Sequence, residues 1–277
     1  MKRQSGNSRP RQQWTALRVP SGLGPPKPVI VRKQTLAARQ YFPEHGHFWN
    51  QLVYATAGAL TVNAEGRNFV ISPDHAVWLP TGTMHRVGSL LGAEFRSLYV
   101  ADSRRLKIAG RPTVFRVSQL LRALIIEAAT FERGKADAYT ERVTTLILDQ
   151  LRRAEPVDFS LPWPSSPSIA ELCDALYGDP SDLRGLVQWG KKLGMSARTL
   201  SRHFEDEVGI SFRTWQRKLR LFKAMEFLGG GRSVTEIALD LGYASTSAFI
   251  YMFKQEVGRS PRVYQRTRDR DGKSPEP

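Results

Sequence analysis

The chain has 277 residues, enough for roughly two domains, and 41% of them are apolar, so ordinary packed cores are within reach. Its net charge of +15 and pI near 10.3 favour a polyanionic partner, and no apolar run is long enough to span a membrane. A single cysteine, Cys173, excludes an internal disulfide and fits a reducing, cytosolic setting; it reads as a small apolar helix residue.

Residues 1–28 carry Lys2, Arg3, Arg9, Arg11, Arg18 and Lys27 and no acid. Rich in Pro and Gly, they read as a disordered basic tail without the apolar stretch of a signal peptide. Residues 29–100 hold short β-branched and aromatic runs broken by Gly and Pro, which predicts a compact all-β unit. Within it His45, His47, Trp49, Gln51 and Val53 share parity, so on one strand they share a face. His85 arrives later, in the run Pro80-Thr81-Gly82-Thr83-Met84-His85. His75 follows the turn Ser72-Pro73-Asp74 and reads as exposed.

The spacing H-x-H-x3-Q-x6-G, then P-x-G-x2-H, resembles the two motifs of the cupin family. That resemblance implies a small sensor barrel over 29–110, with a metal held by an HxH pair, a carboxylate and a distant His. Here His45, His47 and His85 take the imidazole places, and Gln51 stands where the carboxylate is usual. An amide is a weaker ligand and no base, yet three imidazoles suffice for zinc, nickel, copper or iron. The same residues can instead be the polar lining of a pocket for a small-molecule effector, with Trp49, Val53 and Trp78 as apolar walls. Ordinary barrel packing of Trp78, and purely structural histidines, stay open as well.

Residues 114–133 and 138–154 read as helices within a connecting segment, 111–155. Leu120, Leu121, Leu124, Ile125 and Ala128 form one stripe; Val143, Leu146, Ile147, Gln150 and Leu151 form the other. These stripes can pack on their own domain, or the second can join two copies as a homodimer. Pro156, Pro162, Pro164 and Pro167 mark 156–168 as a semi-rigid linker.

The last hundred residues repeat one pattern. Leu186–Phe204 (LVQWGKKLGMSARTLSRHF) and Val234–Phe253 (VTEIALDLGYASTSAFIYMF) each show an apolar stripe, a Leu-Gly turn, a capping serine and a second stripe ending in Phe. This is a helix-turn-helix written twice, each with a second helix suited to a major groove. Gly190 lets the first pair of helices approach, and Ala238 takes its place in the second. Gly194 and Gly242 make the turns; Ser196 and Ser245 cap the second helices. Ser233 and Glu236 form a capping box. Between the readers Phe212–Leu228 reads as a connector helix. Its stripe is Trp215, Leu219, Phe222 and Met225, and Arg213, Arg217, Lys218, Arg220 and Lys223 supply its other faces.

Residues 183–266 resemble the DNA-binding domain of the AraC/XylS family of bacterial transcription regulators. The runs GMSARTLSRHF, RKLRLFKAMEFL and SVTEIALDLGYASTSAFIYMFKQEVGRSPRVY carry the likeness. It implies an all-α DNA-binding domain over 169–268 and an amino-terminal barrel that binds an effector; the charged tail 269–277, with Pro275 and Pro277, reads as frayed. The resemblance also implies base contacts from Arg198, Ser201 and Arg202 of the first reader and Thr246, Ser247, Ile250 and Tyr251 of the second; Arg217, on the connector, is expected to hold phosphate. Tyr251 departs from the arginine often seen there, and a phenol cannot make the forked contact to guanine. Packing of Ile250 and Tyr251 on the connector, and phosphate contacts by Arg198 and Arg202, are the alternatives. His203 reads as a packing or phosphate residue.

The expected function is therefore sequence-specific control of transcription, not catalysis. The partners are an operator duplex, a small molecule or metal, and RNA polymerase; the place is the cytoplasm, at the bacterial nucleoid. The rivals are a metal-dependent cupin enzyme, which the missing carboxylate at Gln51 disfavours, and an architectural DNA binder with a vestigial barrel.

Overall fold

The computed structural model describes residues 14–20, 24–102, 108–132, 137–157, 161–229 and 232–265. The expected tail 269–277 lies outside them, as do residues 1–13 and 21–23 of the expected basic tail.

The amino-terminal unit is two facing five-stranded sheets. The first is ordered β1 (Thr15–Ala16), β3 (Gln40–His45), β8 (His85–Ser89), β5 (Leu60–Ala64) and β6 (Arg67–Ile71). The second is ordered β10 (Thr113–Arg116), β7 (His75–Leu79), β4 (Asn50–Gly58), β9 (Ala93–Val100) and β2 (Val29–Leu36). Alternation decides what each strand buries. Val53 and Ala55 of β4, Val77 and Leu79 of β7 and Val62 of β5 share the core between the sheets. Leu52 and Tyr54 of β4 and Ala76 and Trp78 of β7 point the other way.

That outward face of the second sheet is covered by α1 (Gln119–Ala128) and α2 (Ala138–Arg153). Leu121, Leu124, Ile125 and Ala128 of α1 meet Val143, Ile147 and Leu151 of α2 there. The stripes thus pack on their own domain, while Leu120 and Leu146 stay exposed. Residues 114–116, expected to open the first helix, are strand instead. Val114 and Phe115 pair with β7, and the helix starts only where Ser118 accepts from Leu121 N. The β unit therefore runs past 110.

Two further boundaries are corrected. Within the expected disordered tail, Thr15 and Ala16 pair in parallel with Gln40 and Tyr41, and Trp14 sets its ring edge-on to Tyr41 at 6.2 Å. The proline-rich segment 156–168 is more than a linker. Val157 N donates to Val114 O on the barrel side. Leu161 is fully buried in the core of the DNA-binding unit, and Trp215 Nε1 donates to Pro162 O at 2.8 Å. Pro167 already belongs to α3 (Pro167–Gly178), at a position where its missing N–H costs nothing.

The carboxy-terminal unit continues with α4 (Leu186–Leu193), α5 (Ala197–Val208), α6 (Phe212–Gly229), α7 (Val234–Asp240) and α8 (Thr246–Val257). Its first half is built on Trp189, Leu200, Phe204 and Trp215, its second on Leu221, Ile237, Phe249, Phe253 and Tyr264. Cys173 is a buried residue of α3, and burial pushes its thiol well above the usual range. Lys223, expected on an outer face of the connector, is buried instead. Its Nζ donates to Glu226 at 2.7 Å and sits 4.3 Å from the Tyr177 ring centre, so its charge stays partnered. The two units share a core: Ala59, Val70 and Leu90 of the amino-terminal unit join the cluster that holds Trp189 and Trp215.

Candidate DNA interface and effector site

The two readers take their shape from local chemistry. After α4, Gly194 adopts φ 70°, a left-handed turn that suits glycine, and Gly242 does the same after α7 at φ 72°. A Cβ at Gly190 would lie 2.6 Å from Met195 O, so only glycine allows this approach of the turn to α4. Ser196 Oγ accepts from Thr199 N, Ser233 Oγ from Glu236 N and Ser245 Oγ from Ala248 N, each satisfying an orphan donor of the helix it begins. Leu200 and Phe204 then anchor α5, and Phe249 and Phe253 anchor α8.

What remains outside is the expected reading surface. Arg198, Arg202, His203 and Ser247 are exposed, with Ser201 and Thr246 partly so. Tyr251 is 69% exposed and Ile250 37% exposed, so neither is buried against the connector. A cleft of about 800 Å³ lies between the readers, with Arg213, Arg217 and Arg220 of α6 along it. Arg217 Nε also meets Glu256 Oε1 of α8 at 3.2 Å, a contact that ties the connector to the second reader.

The barrel histidines gather at one end of the space between the sheets. His45 closes β3, His85 opens β8 opposite it, and Gln51 stands near the start of β4. His47 and Trp49 do not lie on a strand with Gln51 and Val53 as the parity suggested; the chain turns between His45 and Asn50. The turn still brings the rings together. Ring centres lie 4.4 Å apart for His45 and His85, 5.2 Å for His47 and His85, and 6.3 Å for His45 and His47. Trp49 stacks on His47 at 5.4 Å, and Tyr99 of β9 sets its edge against both.

Each imidazole is aimed by its Nδ1, which donates to a backbone carbonyl two residues away in the chain: Pro43 for His45, Trp49 for His47, Thr83 for His85. In the neutral His45 and His85 rings Nε2 thereby keeps the lone pair. His47 Nε2 instead lies 2.8 Å from Gln51 Oε1, an acceptor, while Gln51 Nε2 donates to Ser97 Oγ at 2.9 Å. His85 Nε2 and Trp49 Nε1 are buried and have no hydrogen-bond partner. Burial, only partly offset by the Thr83 carbonyl, lowers the His85 pKa to about 4, so this ring is neutral at physiological pH. Burial, opposed by the Pro43 carbonyl, lowers that of His45 as well.

This arrangement is not a preformed chelate. His47 Nε2 is engaged by Gln51, and among the described residues no group of three or more His, Cys, Asp or Glu side chains stands where it could hold a metal ion. Trp78 is not a wall of the site. It is 1% exposed on the outward face of β7, against α1 and α2, and Nε1 donates to Ala109 O. Val53 does face inward. His75, expected at the surface, is 2% exposed. Tyr99 and Ser97 are the members that sequence reasoning missed: their strand carries no motif, and only the pairing of β9 with β4 brings them to Gln51 and Val53.

Comparison with known proteins accounts for both units. Residues 27–183 match the AraC-like ligand binding domain, and residues 189–267 match a helix-turn-helix domain. The HTH-type transcriptional regulator NimR of Escherichia coli K12 is 33% identical over 223 residues, 80% of this chain and 81% of NimR. The chain belongs to the AraC family. Like other AraC-family members it is a DNA-binding transcription regulator with an amino-terminal ligand-binding domain. A more distant relative is RipA of Corynebacterium glutamicum, 24% identical over 77% of this chain and 61% of RipA. Among solved structures, ToxT of Vibrio cholerae aligns over 86% of this chain and 98% of its own, with a TM-score of 0.37 and 13% identity. No helix among the described residues is long and apolar enough to cross a membrane.

Proposed function

We propose that this AraC-family regulator responds to a small organic effector held at the histidine end of the barrel. The observation that carries the reading is the pair of buried, unpartnered groups on one ring cluster. His85 Nε2 offers a lone pair and Trp49 Nε1 offers a proton. A buried polar group without a partner costs roughly 1–3 kcal/mol, and a ligand presenting one donor and one acceptor would remove both costs at once. Trp49 and Tyr99 supply flat apolar walls, and Gln51, oriented by Ser97, supplies a further contact. The effector thus joins hydrogen-bonding groups to an apolar body, as small-molecule sites commonly require.

Occupancy is read out on DNA. Arg198, Ser201 and Arg202 of α5 and Thr246, Ser247, Ile250 and Tyr251 of α8 contact bases of an operator, and Arg217 holds phosphate. The protein works in the bacterial cytoplasm, at the nucleoid, and contacts RNA polymerase. It acts as a homodimer through the exposed side of α2, where Leu146 lies, and no residue is assigned to catalysis.

The test combines metal analysis of tag-free protein with thermal melts. Protein without stoichiometric zinc, nickel, copper or iron, and without a rise in Tm on adding them, fits the organic reading. Stoichiometric metal that His47→Ala removes would replace it with a metal sensor. An effector screen then looks for compounds that raise Tm and change operator affinity in the wild type but not in Trp49→Ala; hits indifferent to Trp49 would sink this placement of the site.

A further inference from the structure

A second cleft, of about 360 Å³, lies where the sensor meets the end of the second reader. Arg116 ends β10, Arg122 lies in the first turn of α1, and Arg259 follows the cap of α8. Asp74 is the one carboxylate among the residues that line it. Three guanidinium groups around one cleft repel each other, and a single carboxylate leaves the lining with an excess of two positive charges. Arg122 is half-buried, and its Nε is shielded from solvent with no hydrogen-bond acceptor. Arg259 places its Cζ 4.7 Å from the centre of the Tyr264 ring, a cation–π contact that holds its head beside the cleft. The cleft is not part of the DNA face. It meets the last residues of α8, about 18 Å along the helix from Thr246, where base reading begins.

We propose that this cleft binds a small polyanion with two or three charges, a di- or tricarboxylate or a phosphate monoester, bridging the sensor to the second reader. Arginine forks match carboxylate and phosphate oxygens two at a time, so three of them can hold one such ligand and cancel their own repulsion. Two of the arginines belong to the sensor and one to the reader, so occupancy fixes the position of one unit on the other.

Calorimetry and thermal melts of the full chain with citrate, and separately with inorganic phosphate, test this against potassium chloride of equal ionic strength. One anion should bind per chain and raise Tm by about 3 °C or more at saturation. Arg116→Gln/Arg259→Gln should weaken binding at least tenfold. Arg198→Gln/Arg202→Gln, which removes the same charge from the DNA face, should leave it unchanged, and so should His47→Ala in the barrel. Tighter binding of citrate assigns a carboxylate ligand, and tighter binding of phosphate a phosphate ester. Absence of one-to-one binding for both anions, or equal binding by Arg116→Gln/Arg259→Gln, overturns the proposal.

Discussion

At Gly190 a single methyl group decides whether the first reader closes. The added Cβ would meet the Met195 carbonyl, a backbone atom that cannot swing aside. Gly190→Ala should therefore destabilise the chain by roughly 1–3 kcal/mol, the usual range for overpacking. It should also weaken protection of one half of the operator in a footprint. An unchanged melt and footprint would mean that the turn relaxes freely. His75 carries a different prediction. Burial, aided by the neighbouring charge of Arg116, lowers its pKa to about 3 against 6.5 in the unfolded chain. Between those values the unfolded state binds the extra proton. The contribution of His75 to stability thus falls as pH drops through 6.5, by up to about 1.4 kcal/mol per pH unit, and levels off below 3. Melts of the wild type and His75→Asn from pH 7 to 4.5 should diverge, with the variant less sensitive to acid. Parallel curves would show that the ring titrates normally.

At the scale of elements, the proposed division of work on DNA between the readers and the connector makes distinct predictions. Arg202→Ala should relax preference at one base position, at a cost of about 1–3 kcal/mol there. Arg217→Ala should weaken all sequences alike and reduce the salt slope of binding by about one. A base-preference profile that Arg202→Ala leaves intact would move this residue to the phosphate class. The readers were legible from sequence because their signals are local: a capping serine, a turn glycine and a 3.6-residue stripe all fall within twenty residues. The sheets were legible only in outline. Thr15–Ala16 is a strand solely because Gln40–Tyr41 lies beside it, and no two-residue window announces that. Val114 and Phe115 fit a helical stripe as well as a strand, and β7 decides the matter. The histidine cluster was found by its motif spacing, although parity assumed one strand where the chain turns. Trp78 was misplaced by the same gap: alternation tells which residues share a face, not which face is the inside.

For the whole molecule, the segment before α3 determines what counts as the DNA-binding domain. Leu161 is fully buried and Trp163 packs against Trp215 with ring centres 5.6 Å apart. A fragment of residues 161–265 should be more stable than one of 168–265, by roughly 1.5–3 kcal/mol for the Leu161 side chain alone. Both should bind operator with affinity that falls steeply as salt rises. Equal melting temperatures for the two fragments would show that the segment merely spans the units. The shared core has a consequence of its own. Val70 and Leu90 of the sensor pack in one cluster with Trp189 of the first reader, and Asn68 Nδ2 donates to the Trp163 carbonyl across the joint. Two sites coupled through one body exchange free energy in equal amounts, whichever ligand arrives first. The operator is then an effector of the barrel as much as the reverse: regulators seated on their promoter and regulators free in the cell would respond at different effector concentrations, and each promoter sequence would set its own threshold.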